Sequence, residues 1–223
     1  MLMKYERQQI VDYCKKMTVD HLTSGTGGNI SIFDPLTGFM AISPSGINYF
    51  ETKQEDIVIM TLDGQIVEGK RRPSSEHNLH IALYKKKIDI SSIVHTHSMY
   101  GIVLSTLNLP IKAVDYILAD AGATEVPVAP YATFGTEELA QSVANTIGEG
   151  RACLMANHGM VTCGKDIESA YNLARECEWI AEIQWRAMAV GVPNIIDDTE
   201  MRNVMQRFND YGQPHNRKEV VYD

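Results

Sequence analysis

Apolar residues recur along this chain at two spacings, and the switch between them predicts the elements. Over residues 3–17, Ile10, Cys14 and Met17 share one stripe while Lys4, Arg7, Lys15 and Lys16 fall elsewhere, the spacing of a helix. Short apolar runs follow at 30–33, 39–42, 57–62 and 65–67. Turn residues separate them, notably 34–38 (Asp-Pro-Leu-Thr-Gly) and Asp63-Gly64. Asp and Gly between apolar runs mark hairpins, so the first third reads as a helix and then an antiparallel meander.

Helical spacing returns after Pro73. Ser74 or Ser75 is a natural N-cap for a helix running to about residue 86, with Leu79, Ala82 and Leu83 on its buried stripe. A short strand over 93–97 and a helix over 99–105 come next. Residues 114–118 form a short apolar run, and 126–130 is extended because its prolines forbid a helix. Thr136 caps a helix to about 147, and 151–155 is a strand. The chain turns through Asn157-His158-Gly159, and 161–163 leads away. Asp166 starts the longest helix, to about 190, stopped by Gly191 and Pro193. Its apolar positions Ile167, Ala170, Ala174, Cys177 and Ala181 suit a packed face. A last helix spans 198–208, and the polar tail from about 209 is expected to be mobile. The pattern supports an α/β fold in one domain over 1–223, without strand order.

Composition narrows the function classes. The chain is 44% hydrophobic and 22% charged, enough for a sizeable core. A formal net charge of −8 argues against nucleic acid held by a general positive field. It leaves room for an anionic small substrate in a local pocket. The four cysteines, Cys14, Cys153, Cys163 and Cys177, lack C-x-x-C spacing and read as reduced core thiols of a cytoplasmic protein. No stretch has the length of a membrane span, and the first residues lack the apolar core of a signal peptide.

Histidines supply the candidate chemistry. His95 and His97 sit at i and i+2 on a strand, so both leave the same face, close enough to share one ion. His158, between a strand end and a glycine, sits where side chains converge, although one such histidine taken alone is more often structural. Residues 23–29 (Thr-Ser-Gly-Thr-Gly-Gly-Asn) are either a plain turn or an anion cradle to which Asn29 adds a donor. A helix opening on Ser74 and Ser75 offers a second anion site. Glu76 there is either a carboxylate compensating the helix dipole or part of a site. His77 and His80 read as packing or surface residues, because the order lacks His-Glu-x-x-His.

Taken together, Gly27-Gly28-Asn29-Ile30-Ser31, Ser43-Pro44-Ser45-Gly46, Pro73-Ser74-Ser75-Glu76, His95-Thr96-His97, residues 130–135 (Pro-Tyr-Ala-Thr-Phe-Gly) and Asn157-His158-Gly159 resemble the class II aldolase/adducin-like family over essentially the whole chain. Residues 116–119 look more like its fuculose-phosphate branch than its sister enzymes. The resemblance implies a three-layer α/β/α fold around a mixed, mainly antiparallel sheet. It implies one Zn²⁺ per subunit on His95, His97 and His158, with Glu76 as fourth ligand and proton shuttle. A phosphorylated ketose would lie against Gly28, Asn29, Ser45, Gly46, Ser74 and Ser75, with Phe134 as a wall. Tyr116, from a neighbouring subunit of a homotetramer, and Tyr211 would complete the catalytic set. The implied reaction is reversible aldol cleavage of a ketose 1-phosphate. Asp120 keeps a ribulose-phosphate 4-epimerase open, and a sugar-phosphate dehydratase fits the same scaffold. A non-enzymatic adducin-type module has no need of Glu76 with all three histidines.

Overall fold

The computed structural model describes residues 1–208. Ten strands and six helices follow in chain order among them: α1 (Lys4–Val19), β1 (Asn29–Asp34), β2 (Phe39–Ile42), β3 (Val58–Thr61), β4 (Ile66–Glu68), α2 (His77–Lys86), β5 (Ser92–Thr96), α3 (Met99–Thr106), β6 (Ile111–Lys112), β7 (Glu125–Val126), β8 (Val128–Ala129), α4 (Glu137–Thr146), β9 (Ala152–Met155), β10 (Gly159–Gly164), α5 (Ile167–Val190) and α6 (Asp198–Phe208). The main sheet has the order β4-β3-β2-β1-β5-β10-β9-β8. Its pairings are antiparallel except β8 with β9. The meander expected in the first third is therefore half of this sheet.

Alternation along each strand divides the core into two layers. Ile30, Ile32, Val94, Leu154 and Met160 face a cluster with Ile10, Cys14 and Met17 of α1 and the buried stripe of α5. Met40, Ile42, Ile93, Met155 and Val161 face the other way, onto Leu79 and Leu83 of α2 and Leu139 and Val143 of α4. Helices thus cover both faces, the three-layer arrangement. All four cysteines are buried and free.

Capping follows the sequence in two places. Thr136 accepts from the Leu139 N–H, and Asp166 forms a capping box with Ser169 ahead of α5. In a third place it does not. α2 begins at His77 rather than at Ser74 or Ser75. The Ser74 N–H is taken by the Ser43 carbonyl at 3.0 Å, and Pro73 bridges to Pro44. Pro73 and Ser74 therefore stay against the 43–46 turn, Ser75 and Glu76 turn toward the helix, and Glu76 becomes the residue at the cap. That displacement brings the two small-residue turns side by side.

Candidate metal centre

His95 lies on β5 with β1 on one side, where it pairs with Asn29, and β10 on the other, where it pairs with Val161. Two glycines permit this close arrangement. Gly28 has φ of +72°, and a side chain there would meet the His95 carbonyl at 2.5 Å. At Gly159 a side chain would meet the Thr96 carbonyl at 2.3 Å. Asn157, at φ of 57°, makes the turn that presents His158 beside β5. Glu76 reaches the same point from the cap of α2.

Three imidazoles and one carboxylate meet there. The His95 and His97 ring centres are 4.8 Å apart, and each lies 5.0 Å from His158. One ligand atom from each of Glu76, His95, His97 and His158 falls within 4.8 Å of all the others. Glu76 Oε2 is 2.9 Å from His95 Nε2, and Oε1 is 3.4 Å from His158 Nε2. His95 Nδ1 stands 2.9 Å from the Met160 carbonyl, which only accepts, so that nitrogen carries the proton in the neutral ring. Its Nε2 is then left bare toward the cluster, the orientation of a metal-ligating histidine. His97 Nε2 points at the same atom from 3.0 Å.

The donor set fits a divalent cation. Two imidazole nitrogens converge on one place, and buried Glu76 Oε1 has no hydrogen-bond partner among the described residues. Three histidines plus an exchangeable position suit catalytic zinc. Without an ion, a proton does part of this work. Burial alone pushes the Glu76 carboxyl up, but the charge and hydrogen bond of His95, with help from His158, hold it well below its ordinary range. Burial pushes His95 down, and Glu76 more than reverses this. Burial and then the His95 charge push His97 down to about 3 and His158 to about 4. Without an ion, these shifts favour an ion pair of His95 with Glu76 beside neutral His97 and His158.

A cavity of about 380 Å³ opens over the cluster. Gly28, Asn29, Ser45, Gly46, Ser74, Ser75, Glu76, Phe134, His97 and His158 all line it. Ser45 N–H bonds to the Arg72 carbonyl at 3.0 Å, which ties the turn carrying Ser45 and Gly46 to the 73–75 segment. A larger cavity, about 570 Å³, lies between α2 and α4 but has none of the four cluster residues.

Not every expected residue joins the cavity. Tyr116 sits on a short 3₁₀ turn, is 53% exposed and packs its ring against Phe208, away from the cluster of its own chain. Tyr211 lies outside the described residues. Asp120 lines a separate groove with Arg151 and Lys165. Asp120 also lies beside Glu176, whose carboxyl is pushed up to about 7 by burial and then by Asp120. His77 is half-buried as expected, whereas His80 is fully buried and hydrogen-bonded at both nitrogens. The expectation of a packing or surface residue fits the burial of His80 but leaves out these hydrogen bonds, although its i+4 spacing from Glu76 is visible in the sequence. Tyr131, also overlooked, lines the cavity beside Phe134.

Residues 8–185 match the family described as Class II Aldolase and Adducin N-terminal domain, and the chain belongs to it. It is an enzyme of the aldolase class, a lyase. Such aldolases use zinc, and the Glu76–His95–His97–His158 cluster is able to bind one ion. Among relatives, 5-deoxy-D-ribulose 1-phosphate aldolase of Bacillus thuringiensis serovar kurstaki is 46% identical over 213 residues, covering 96% of this chain and 100% of that one. L-fuculose phosphate aldolase of Escherichia coli O6:H1 is 38% identical over 206 residues, covering 92% and 94%. A solved structure of L-fuculose 1-phosphate aldolase superposes with a TM-score of 0.91 at 41% identity, covering 94% of this chain and 98% of that one. No helix among the described residues is long and apolar enough to cross a membrane.

Proposed function

We propose that this chain cleaves a deoxyketose 1-phosphate reversibly to dihydroxyacetone phosphate and a short aldehyde with a methyl end. The observation that carries the proposal is the buried Glu76 oxygen left without a hydrogen bond among three converging imidazoles, in a cavity whose other rim is Ser45, Gly46, Ser74 and Ser75. His95, His97 and His158 hold zinc, with Glu76 as the exchangeable fourth ligand. When bound, zinc would supply Lewis acidity, polarising the C2 carbonyl that takes up the electron pair released by carbon–carbon cleavage.

The chain's own groups do the rest. Gly28 lets the backbone approach the ligand, and Asn29, Ser45, Gly46, Ser74 and Ser75 hold the phosphate with neutral donors. An acidic protein therefore accepts an anion without a lysine there. As the bond between C3 and C4 breaks, its electron pair stays with the dihydroxyacetone phosphate half. Glu76, once freed of the metal and protonated from solvent, delivers that proton to C3, and takes it back in the synthetic direction. Tyr116 of a neighbouring subunit takes the proton of the C4 hydroxyl as its own phenolic proton passes to solvent, and that oxygen becomes the aldehyde; in the synthetic direction Tyr116 is the acid at the aldehyde oxygen. Tyr211 closes over the site. Phe134 is the wall against the methyl group. The enzyme works as a cytoplasmic homotetramer.

Two sugars suit this description. Cleavage of 5-deoxyribulose 1-phosphate gives acetaldehyde, and cleavage of L-fuculose 1-phosphate gives L-lactaldehyde. The 46% relative supports the first and the 38% relative the second. An apolar wall separates such aldehydes by only about 10- to 200-fold. Turnover of both, with L-ribulose 5-phosphate as a third substrate, ranks them. Appearance of dihydroxyacetone phosphate, its loss on chelation and its return with zinc are the expected results. An isomeric pentulose phosphate as sole product, or full activity after verified removal of metal, would overturn the proposal.

A further inference from the structure

We infer that His80 is a positioning residue for Glu76, acting through the carboxamide of Asn29. The inference rests on the proton-transfer role proposed for Glu76. His80 is fully buried on α2, one helical turn beyond Glu76. Its Nε2 is 2.5 Å from Asn29 Oδ1, and its Nδ1 is 2.6 Å from Ser31 Oγ. Asn29 Nδ2 in turn donates to Glu76 Oε2 at 3.1 Å. Ser31 Oγ is 2.8 Å from the Tyr84 hydroxyl.

The direction of this chain follows from what each atom is able to do. An ionised carboxylate only accepts, so the Asn29 amide must turn its nitrogen to Glu76 and its oxygen to His80. An amide oxygen also only accepts, so His80 Nε2 must carry a proton. Burial keeps the ring neutral, its pKa pushed down to about 3. Nδ1 is therefore bare and accepts a hydrogen bond from the Ser31 hydroxyl. Each member donates toward Glu76: Tyr84 or Ser31 at the start, then His80, then Asn29. A reversed Asn29 would set its oxygen against the carboxylate and its nitrogen against an N–H. The imidazole tautomer thus locks the amide. Because a carboxamide does not relay protons, the chain orients rather than conducts. The second N–H of Asn29 is left for an anion in the cavity that Asn29 lines. One locked amide then sets both the Glu76 oxygen and a donor to substrate.

A histidine that only fills space would occupy the same place, so the test must separate the two. The first measurement reads the imidazole ¹⁵N resonances of His80 in the metal-free, unmodified chain. The Nε2-protonated tautomer is expected, and the Nδ1-protonated form would overturn the inference. That result stands whether or not any variant folds. The second compares His80→Phe, which keeps a ring and loses both hydrogen bonds, with His80→Gln, which keeps a donor near Nε2. For His80→Phe, kcat and proton exchange at dihydroxyacetone phosphate should fall about 10- to 100-fold while zinc is retained. His80→Gln should recover most of that loss. Unchanged kcat in folded His80→Phe, or no recovery in folded His80→Gln, counts against positioning. Unchanged exchange in Glu76→Gln would instead remove the role on which the inference rests. The failures are distinguishable, because only a wrong His80 assignment changes the imidazole spectrum of the unmodified chain.

Discussion

Glu76 gathers three demands on one carboxylate: it pairs with His95, accepts from Asn29 and turns its other oxygen, without a hydrogen bond, toward His158. Replacing it with Gln keeps the shape and removes the proton acceptor. Zinc should stay bound through the three imidazoles, while proton exchange at dihydroxyacetone phosphate falls by about 100-fold or more. Isotope exchange followed by NMR, with metal content alongside, checks this. The histidines make a second prediction. His80 and His97 are pushed to about 3 and His158 to about 4, from an ordinary value of 6.5. As pH falls below 6.5, the unfolded chain takes up protons that the folded chain refuses, so acid destabilises the metal-free protein. Glu76, held low, adds to the loss below the ordinary carboxylate value. His95 is raised, so its contribution is present at low pH and fades only as pH rises through its elevated value. The three depressed rings dominate on the acid side. Urea midpoints of metal-free protein should drop steadily from neutral to about pH 5. A flat profile there would show that the rings are not buried neutral.

Elements, rather than single side chains, hold the cluster together. β1, β5 and β10 run side by side, and the cap of α2 meets them at one end. Gly159 is the point of closest approach. With Ala there, the new methyl would strike the Thr96 carbonyl, so β10 must move and take His158 with it. Gly159→Ala should cost about 1–3 kcal/mol in denaturant unfolding and weaken zinc binding together. A contrasting change lies at the far end of β10. Asp166→Ala removes the α5 cap and should cost about 0.5–2 kcal/mol, yet leave zinc affinity as it was. Measured side by side, the two separate loss of stability from loss of the site. Equal zinc affinity in both variants would mean that β10 does not position His158.

At the scale of the whole molecule, the chain's own cavity is lined by Glu76, His97, His158, Ser45, Ser74 and Ser75 but not by Tyr116. If Tyr116 serves a neighbouring subunit, each active site is shared. Tyr116→Phe and Glu76→Gln are then each nearly inactive alone. Mixed oligomers containing both should regain activity, because some sites receive an intact Glu76 and an intact Tyr116. Co-refolding the two variants and assaying the mixture tests this. No recovery in verified mixed oligomers would confine catalysis to one chain.

Much was determined by sequence alone, and the reason is local. Turn chemistry at Asp63-Gly64 and caps at Thr136 and Asp166 depend on neighbours within a few residues, so those elements stand where expected. His95 and His97 share a face because a strand repeats every two residues. The three-layer fold and the metal set were legible through the resemblance carried by the motifs, since spacing along a chain does not encode strand order. Tertiary structure decided what depends on partners far away. The start of α2 shifted to His77 because Ser43 and Pro44, some thirty residues earlier, hold Pro73 and Ser74 against their turn. The standing of His80 changed for the same reason. Its hydrogen-bonding partners Asn29 and Ser31 lie on β1, and only packing of that strand against α2 turns a buried ring into a link to Glu76.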